Sequence, residues 1–192
     1  MQNKLPAIFE EFADARKNGF LKAKKIKDDG GKIAGTFCTF APVEVLDAAG
    51  VYSVSLCGMS DETIPDAERE LPKNLCPLIK SSYGFAASEK CPYTYFADIL
   101  IGETTCDGKK KMYEMLEEIK DLHILQIPQG IDRPYSLKLW RDEVRIFIEA
   151  MEQKFSVKIT DDKLREAADH LETLVGEAYW PMPTYQAILT SV

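Results

Sequence analysis

Apolar positions recur at helical spacing through residues 5–26, where Ile8, Phe12, Ala15 and Phe20 fall on one face. Five lysines follow between positions 22 and 32, interrupted by Asp28-Asp29-Gly30-Gly31, the pattern of a solvated helix end and turn. From there the period alternates. Short apolar, β-branched runs at 32–37, 51–56, 96–101 and 122–127 predict four strands. Between them, residues 42–49, 65–71, 76–88 and 107–120 predict helices, and 134–155 and 161–175 two more. Pro42 and Pro77 suit first helical positions, Gly50 a helix C-cap, and Thr160 an N-cap. Asp107 is the expected N-cap of the 107–120 helix.

Strands alternating with helices predict an α/β fold. The expected form is a three-layer, Rossmann- or flavodoxin-like domain whose parallel sheet has about four strands flanked by helices. The expected boundaries are a helical segment at 1–30, the α/β domain at 31–175 and an irregular tail at 176–192, where Trp180-Pro181-Met182-Pro183 breaks the pattern.

Composition narrows the function. A chain of 192 residues, 45% of them apolar, can bury one sizeable core. Its 24 basic and 31 acidic residues give a net charge of −7, which argues against nucleic acid and against an anionic membrane surface as partners. No apolar run is long enough to span a bilayer. Glu10, Glu11 and Asp14 stand where a signal peptide would be apolar, so the expected location is the cytoplasm.

Cysteines stand at 38, 57, 76, 91 and 106, at spacings of 19, 19, 15 and 15. An odd number in a cytoplasmic chain does not suit a disulfide framework. Cys38 and Cys57 directly follow predicted strands, and Cys106 comes shortly after a third. That is the edge at which open α/β sheets build their sites. Predicted helices start close after Cys38, Cys76 and Cys106, and helix N-termini stabilise thiolates. Soft thiolates gathered in this way favour iron and sulfide. Zinc, which prefers paired CxxC knuckles absent here, and a merely buried set of thiols stay open as alternatives.

The segments around these cysteines resemble a known family. Gly35-Thr-Phe-Cys-Thr-Phe-Ala-Pro-Val-Glu44, Asp47-Ala-Ala-Gly50, Ser55-Leu-Cys-Gly58, Asn74-Leu-Cys-Pro-Leu-Ile-Lys-Ser-Ser-Tyr-Gly84, Lys90-Cys-Pro-Tyr93 and Gly102-Glu-Thr-Thr-Cys-Asp-Gly108 are similar to the 2-hydroxyacyl-CoA dehydratases of the 2-hydroxyglutaryl-CoA dehydratase D-component type. The resemblance is closest to the double-cubane cluster branch and covers the family's first domain. It implies that Cys38, Cys57, Cys76, Cys91 and Cys106 ligate a [4Fe–4S] cluster or a double-cubane [8Fe–9S] cluster. It implies a separate ATP-hydrolysing iron–sulfur activator that delivers low-potential electrons, with ATP bound to that partner and not to this chain. The substrate is then an acyl-CoA, dehydrated through a ketyl radical, or a small molecule that is hard to reduce; a dimer is the implied assembly.

The family's second domain, with its further cysteine ligand, is expected to be missing from a chain of this length. The alternative expectation is therefore a truncated, non-catalytic first domain that serves as a cluster-binding or partner module. Glu44, at a predicted helix start near Cys38, and Ser81, in the helix after Cys76, are the candidate catalytic side chains. Ser82 and Tyr83 are expected to face the same cleft. Glu44 fits a helix-start carboxylate equally well, and His123 and His170 read as structural.

Overall fold

The computed structural model describes residues 8–58 and 60–174. The expected irregular tail at 176–192 lies outside them. The chain divides into two compact units, one built from residues 1–41 and 52–127, the other from 42–51 and 128–192.

The first unit carries the sheet. Helix α1 (Ile8–Asp28) leads through a turn at Gly30 to β1 (Lys32–Thr36). Then come β2 (Val51–Ser55), whose first residue belongs to the other unit, α3 (Ile64–Ala67), α4 (Pro77–Ala87) and α5 (Pro92–Phe96). The unit closes with β3 (Ile99–Glu103), α6 (Asp107–Leu116) and β4 (Leu122–Leu125). The four parallel strands run in the order β2-β1-β3-β4, flanked by helices. Ala34 faces Ile99 and Thr36 faces Ile101 across β1 and β3, while Leu100 faces Leu122 and Glu103 faces Leu125 across β3 and β4. Every residue of β3 is buried, as the central strands of a covered parallel sheet must be. The core of this unit packs Ile33, Phe37, Leu56, Leu100, Tyr113 and Leu116 between the sheet and its helices.

The α/β class, the four strands and their parallel sense match the sequence expectation. The third strand does not start where the apolar run starts. Pro92–Phe96 form a helical turn, because Pro92 has the φ of a first helical residue and the Cys91 Sγ accepts the Thr94 N–H at 3.4 Å. Phe96 stacks on Phe20 with ring centroids 6.2 Å apart, so it belongs to helix packing and not to the sheet. Asp98 then fixes the entry to β3: its carboxylate accepts the Lys27 ammonium at 2.7 Å and the Ile33 N–H at 2.8 Å.

The second unit holds α2 (Val43–Ala48), α7 (Ser136–Phe155) and α8 (Asp161–Leu174). Gly50, at φ +70°, ends α2 in the left-handed conformation expected of it. Thr160 caps α8 through its Oγ1, which accepts the Lys163 N–H at 3.3 Å. His170 of α8 pairs with Asp47 of α2 at 3.1 Å, a structural role for that histidine. Among the described residues no helix is long and apolar enough to cross a membrane.

Candidate functional site

A parallel sheet ordered 2-1-3-4 changes direction between β1 and β3, and ligands of such folds bind in the crevice beyond the carboxyl ends of the strands at that point. Cys38 lies just beyond β1, and Cys106 just beyond β3. The geometry there is specific. Cys38 has φ +65°, a left-handed conformation that a non-glycine residue adopts only under constraint. Its Sγ lies 3.7 Å from Thr105 Oγ1 and makes a short contact with the Lys109 ammonium.

The constraint on Cys38 comes from Glu103. This residue is fully buried at the end of β3, and its two carboxylate oxygens accept the successive N–H groups of Thr39 and Phe40, each at 2.9 Å. One side chain thus ties the loop after β1 to the strand beside it. The Glu103 N–H in turn donates to the Tyr113 hydroxyl at 3.2 Å. The Tyr113 ring is fully buried against Phe37, and the phenol lies within electrostatic reach of Glu103, Cys106 and Cys57. Burial pushes its pKa up to about 12, so it stays protonated at neutral pH. Burial also pushes the Lys109 ammonium below the usual lysine range.

Glu103 carries a pH signature. Burial raises its carboxyl above the ordinary 4.5, although the N–H groups of Thr39 and Phe40 pull the other way. A raised folded-state value means that its contribution to stability is fully present below the unfolded value and is lost as pH rises through the folded one. Replacing Glu103 by Gln is expected to flatten the stability profile above the ordinary glutamate value. The change is at most about 1.4 kcal/mol per pH unit, since one proton is involved. Urea midpoints at half-unit pH steps check this; an unchanged slope would assign the pH dependence elsewhere.

The remaining cysteines sit at helix starts or strand ends. Cys76 is the N-cap of α4, Cys91 of α5 and Cys106 of α6, so Cys106 takes the cap position expected for Asp107. Asp107 is instead the first helical residue, 3.2 Å from Lys110. Cys57 follows β2, and with Cys91 it lines a cavity of about 670 Å³. All five thiols are free; Cys57, Cys76 and Cys106 are exposed, Cys38 and Cys91 half-buried.

The other candidates are placed as follows. Ser81 is buried, and its hydroxyl donates to the Ser60 carbonyl in a short contact that ties α4 to the loop after β2. Ser82 is the serine on the cavity: its Oγ accepts the Gly58 N–H at 2.8 Å and donates to the Leu78 carbonyl. Tyr83 is buried, and its hydroxyl is bonded to Glu70 rather than facing the cleft. Glu44 lies in the first turn of α2, in the second compact unit. From sequence Glu103 reads only as an ordinary carboxylate flanking Cys106 and Tyr113 as an apolar-side residue of its helix, and nothing marks Lys109. A further signal for Glu103 is a carboxylate at the end of a buried strand run, where an unpaired charge is costly.

Among the described residues no three His, Cys, Asp or Glu side chains converge on one metal ion. The donors available are five free thiols, three of them at helix N-caps, and thiolate is the ligand type that iron–sulfur clusters use.

Two comparisons bear on this arrangement. The family model of the 2-hydroxyglutaryl-CoA dehydratase D-component matches residues 38–173, which include all of the cysteines. The protein YjiM of Escherichia coli (strain K12), whose name describes it as a dehydratase subunit, is 52% identical over 163 residues. That match covers 85% of this chain and 43% of the length of YjiM. With the match running from the thiol beyond β1 into the last described helix, the chain belongs to the 2-hydroxyglutaryl-CoA dehydratase D-component family.

Proposed function

We propose that this chain is an iron–sulfur cluster domain for reductive or radical dehydration chemistry, working in the cytoplasm as a dimer. In this reading Cys38, Cys57, Cys76, Cys91 and Cys106 supply the thiolates for a [4Fe–4S] or double-cubane [8Fe–9S] cluster. A separate ATP-hydrolysing iron–sulfur activator provides the electrons, and the substrate is an acyl-CoA or another small molecule. The observation that carries the proposal is the placement of five free thiols at strand ends and helix N-caps in a chain of this family.

When bound, the cluster supplies one-electron chemistry at low potential. The chain's own residues hold and tune the ligands. Glu103 fixes the loop that presents Cys38, and the Lys109 ammonium sits against its sulfur. The Thr94 N–H donates to the Cys91 sulfur, which places a backbone donor beside that proposed ligand. Ser81 secures α4, and with it the position of Cys76 at the helix start. Glu44 remains the candidate base in α2.

The second reading is a non-catalytic cluster-binding or partner module. Iron and acid-labile sulfide, measured per chain after strictly anaerobic purification together with an EPR spectrum of the reduced sample, test the proposal. About eight irons indicate both cubanes, and about four a single cubane on a domain that needs a partner. Cys76→Ser and Cys106→Ser are each expected to halve the iron content or abolish it. No iron, with five thiols open to titration, overturns the cluster reading.

A further inference from the structure

Asp107-Gly-Lys-Lys-Lys111 puts three successive lysines at the start of α6, and they end in different places. Lys110 turns to Asp107 at 3.2 Å and Lys111 to Glu114 at 2.5 Å, the ordinary pairing of neighbours on a helix surface. Lys109 takes no carboxylate among the described residues. Its side-chain nitrogen lies against the Cys38 sulfur, 71 positions back in the chain. The contact is held from both sides. Glu103 ties down the two N–H groups after Cys38, which keeps that residue in its left-handed conformation, and Lys109 rises from the first turn of a helix. A sulfur and a nitrogen kept together in this way react without a separate encounter. Both side chains are half-buried, so a small oxidant reaches the sulfur from solvent.

We propose that Cys38 and Lys109 form a reversible covalent sulfur–nitrogen link when the iron-free chain meets hydrogen peroxide. The Cys38 thiol first takes one oxygen from the peroxide, giving a sulfenic acid and water; the sulfur loses two electrons and the peroxide gains them. The Lys109 ammonium releases a proton to solvent, and its nitrogen attacks the same sulfur. The S–N bond forms, the S–O bond breaks, and the hydroxyl leaves as water with one hydrogen from the nitrogen. The product is a sulfenamide, the linkage that sulfenic acids also make with backbone nitrogen. It holds the sulfur short of the irreversible sulfinic acid. Two molecules of a thiol reductant reopen it, leaving as a disulfide and returning the thiol and the amine. The link itself needs neither iron nor an activator. Its consequence rests on the cluster reading: an oxidised chain cannot bind iron through Cys38 until it is reduced.

The test treats the full chain, freed of any iron by chelator under reduction and then cleared of reductant, with hydrogen peroxide and maps the products by peptide mass spectrometry. A joined pair of peptides carrying Cys38 and Lys109 is expected, with a mass two hydrogens below their sum, and dithiothreitol should part it. Lys109→Arg should abolish the link and raise the yield of sulfinic acid at Cys38 about fivefold, whereas Lys110→Arg should leave the link within about twofold. Circular dichroism of both variants shows that they fold as the parent does, and the mapping of the parent chain stands without them. A link spread evenly over Lys109, Lys110 and Lys111 overturns the inference. So does a Cys38 that stays a thiol, passes to sulfinic acid or joins another cysteine while Lys109 remains free. Iron content of the anaerobic chain decides the cluster reading separately, so either idea can fail while the other stands.

Discussion

Replacing Tyr113 by Ala is expected to destabilise the first unit by about 4 kcal/mol, the usual size for an aromatic side chain removed from a sealed core. Tyr113 has no exposed surface, and its ring packs against Phe37. Its hydroxyl also accepts the Glu103 N–H, so the truncation removes a wall and a hydrogen-bond partner together. Tyr113→Phe isolates the second effect and should cost about 1–2 kcal/mol, the cost of leaving a buried N–H unpaired. Urea titrations of the three proteins give the ordering. Alkylation rates at Cys38 and Cys57 give the link to the site: both should rise in Tyr113→Ala and change little in Tyr113→Phe. If the two variants unfold at the same urea concentration, the ring is not the support that the packing indicates.

The second large effect is expected at Gly84. A helix interior ordinarily gains about 1 kcal/mol when glycine becomes alanine. Here a Cβ would meet the Thr63 carbonyl, with the carbonyl carbon at 2.8 Å and the Thr63 Cβ equally close. The obstacle is largely backbone and cannot rotate away. The Thr63 segment is also anchored on the same helix, since Thr63 Oγ1 donates to the Ser81 carbonyl at 3.1 Å. Gly84→Ala is therefore expected to destabilise by about 3 kcal/mol, the upper end for overpacking. Gly130→Ala is the control: a Cβ there meets nothing within 4 Å, and its effect should stay within about 0.5 kcal/mol. Displacement of α4 carries Cys76 with it, so a folded Gly84→Ala chain should also hold less iron than its parent. A midpoint unchanged from the parent would show that α3 and α4 are not in this contact.

The α/β class was legible in the chain because periodicity is a local property. Runs such as Ile99 to Ile101 and Val51 to Val54 are short and apolar or β-branched, as strands of a covered sheet are, and helical spacing in α6 and α7 leaves one apolar side. Where local signals compete, the reading slipped. Phe96 continues an apolar run in the sequence, yet Pro92 and the Cys91 cap turn it into a helix end. Tyr83 and Ser81 sit beside Ser82 in sequence, but one helical turn sends their hydroxyls to Glu70 and Ser60 and leaves Ser82 on the cavity. Periodicity shows that a helix has a buried side; it does not show which neighbour each residue meets.

The sequence by itself determined the elements, the thiols at the ends of strands and the starts of helices, and the family to which their surroundings belong. These are fixed by residue type and short-range spacing. Tertiary structure alone decided that β1 lies beside β3, so that Cys38 meets Thr105 and Lys109 from 67 and 71 residues away. It alone decided that one buried carboxylate, Glu103, holds the N–H groups of Thr39 and Phe40. Alternation along a strand specifies its faces but not its neighbours. Strand order follows from how the whole core packs, and the chemistry at the switch point follows from strand order.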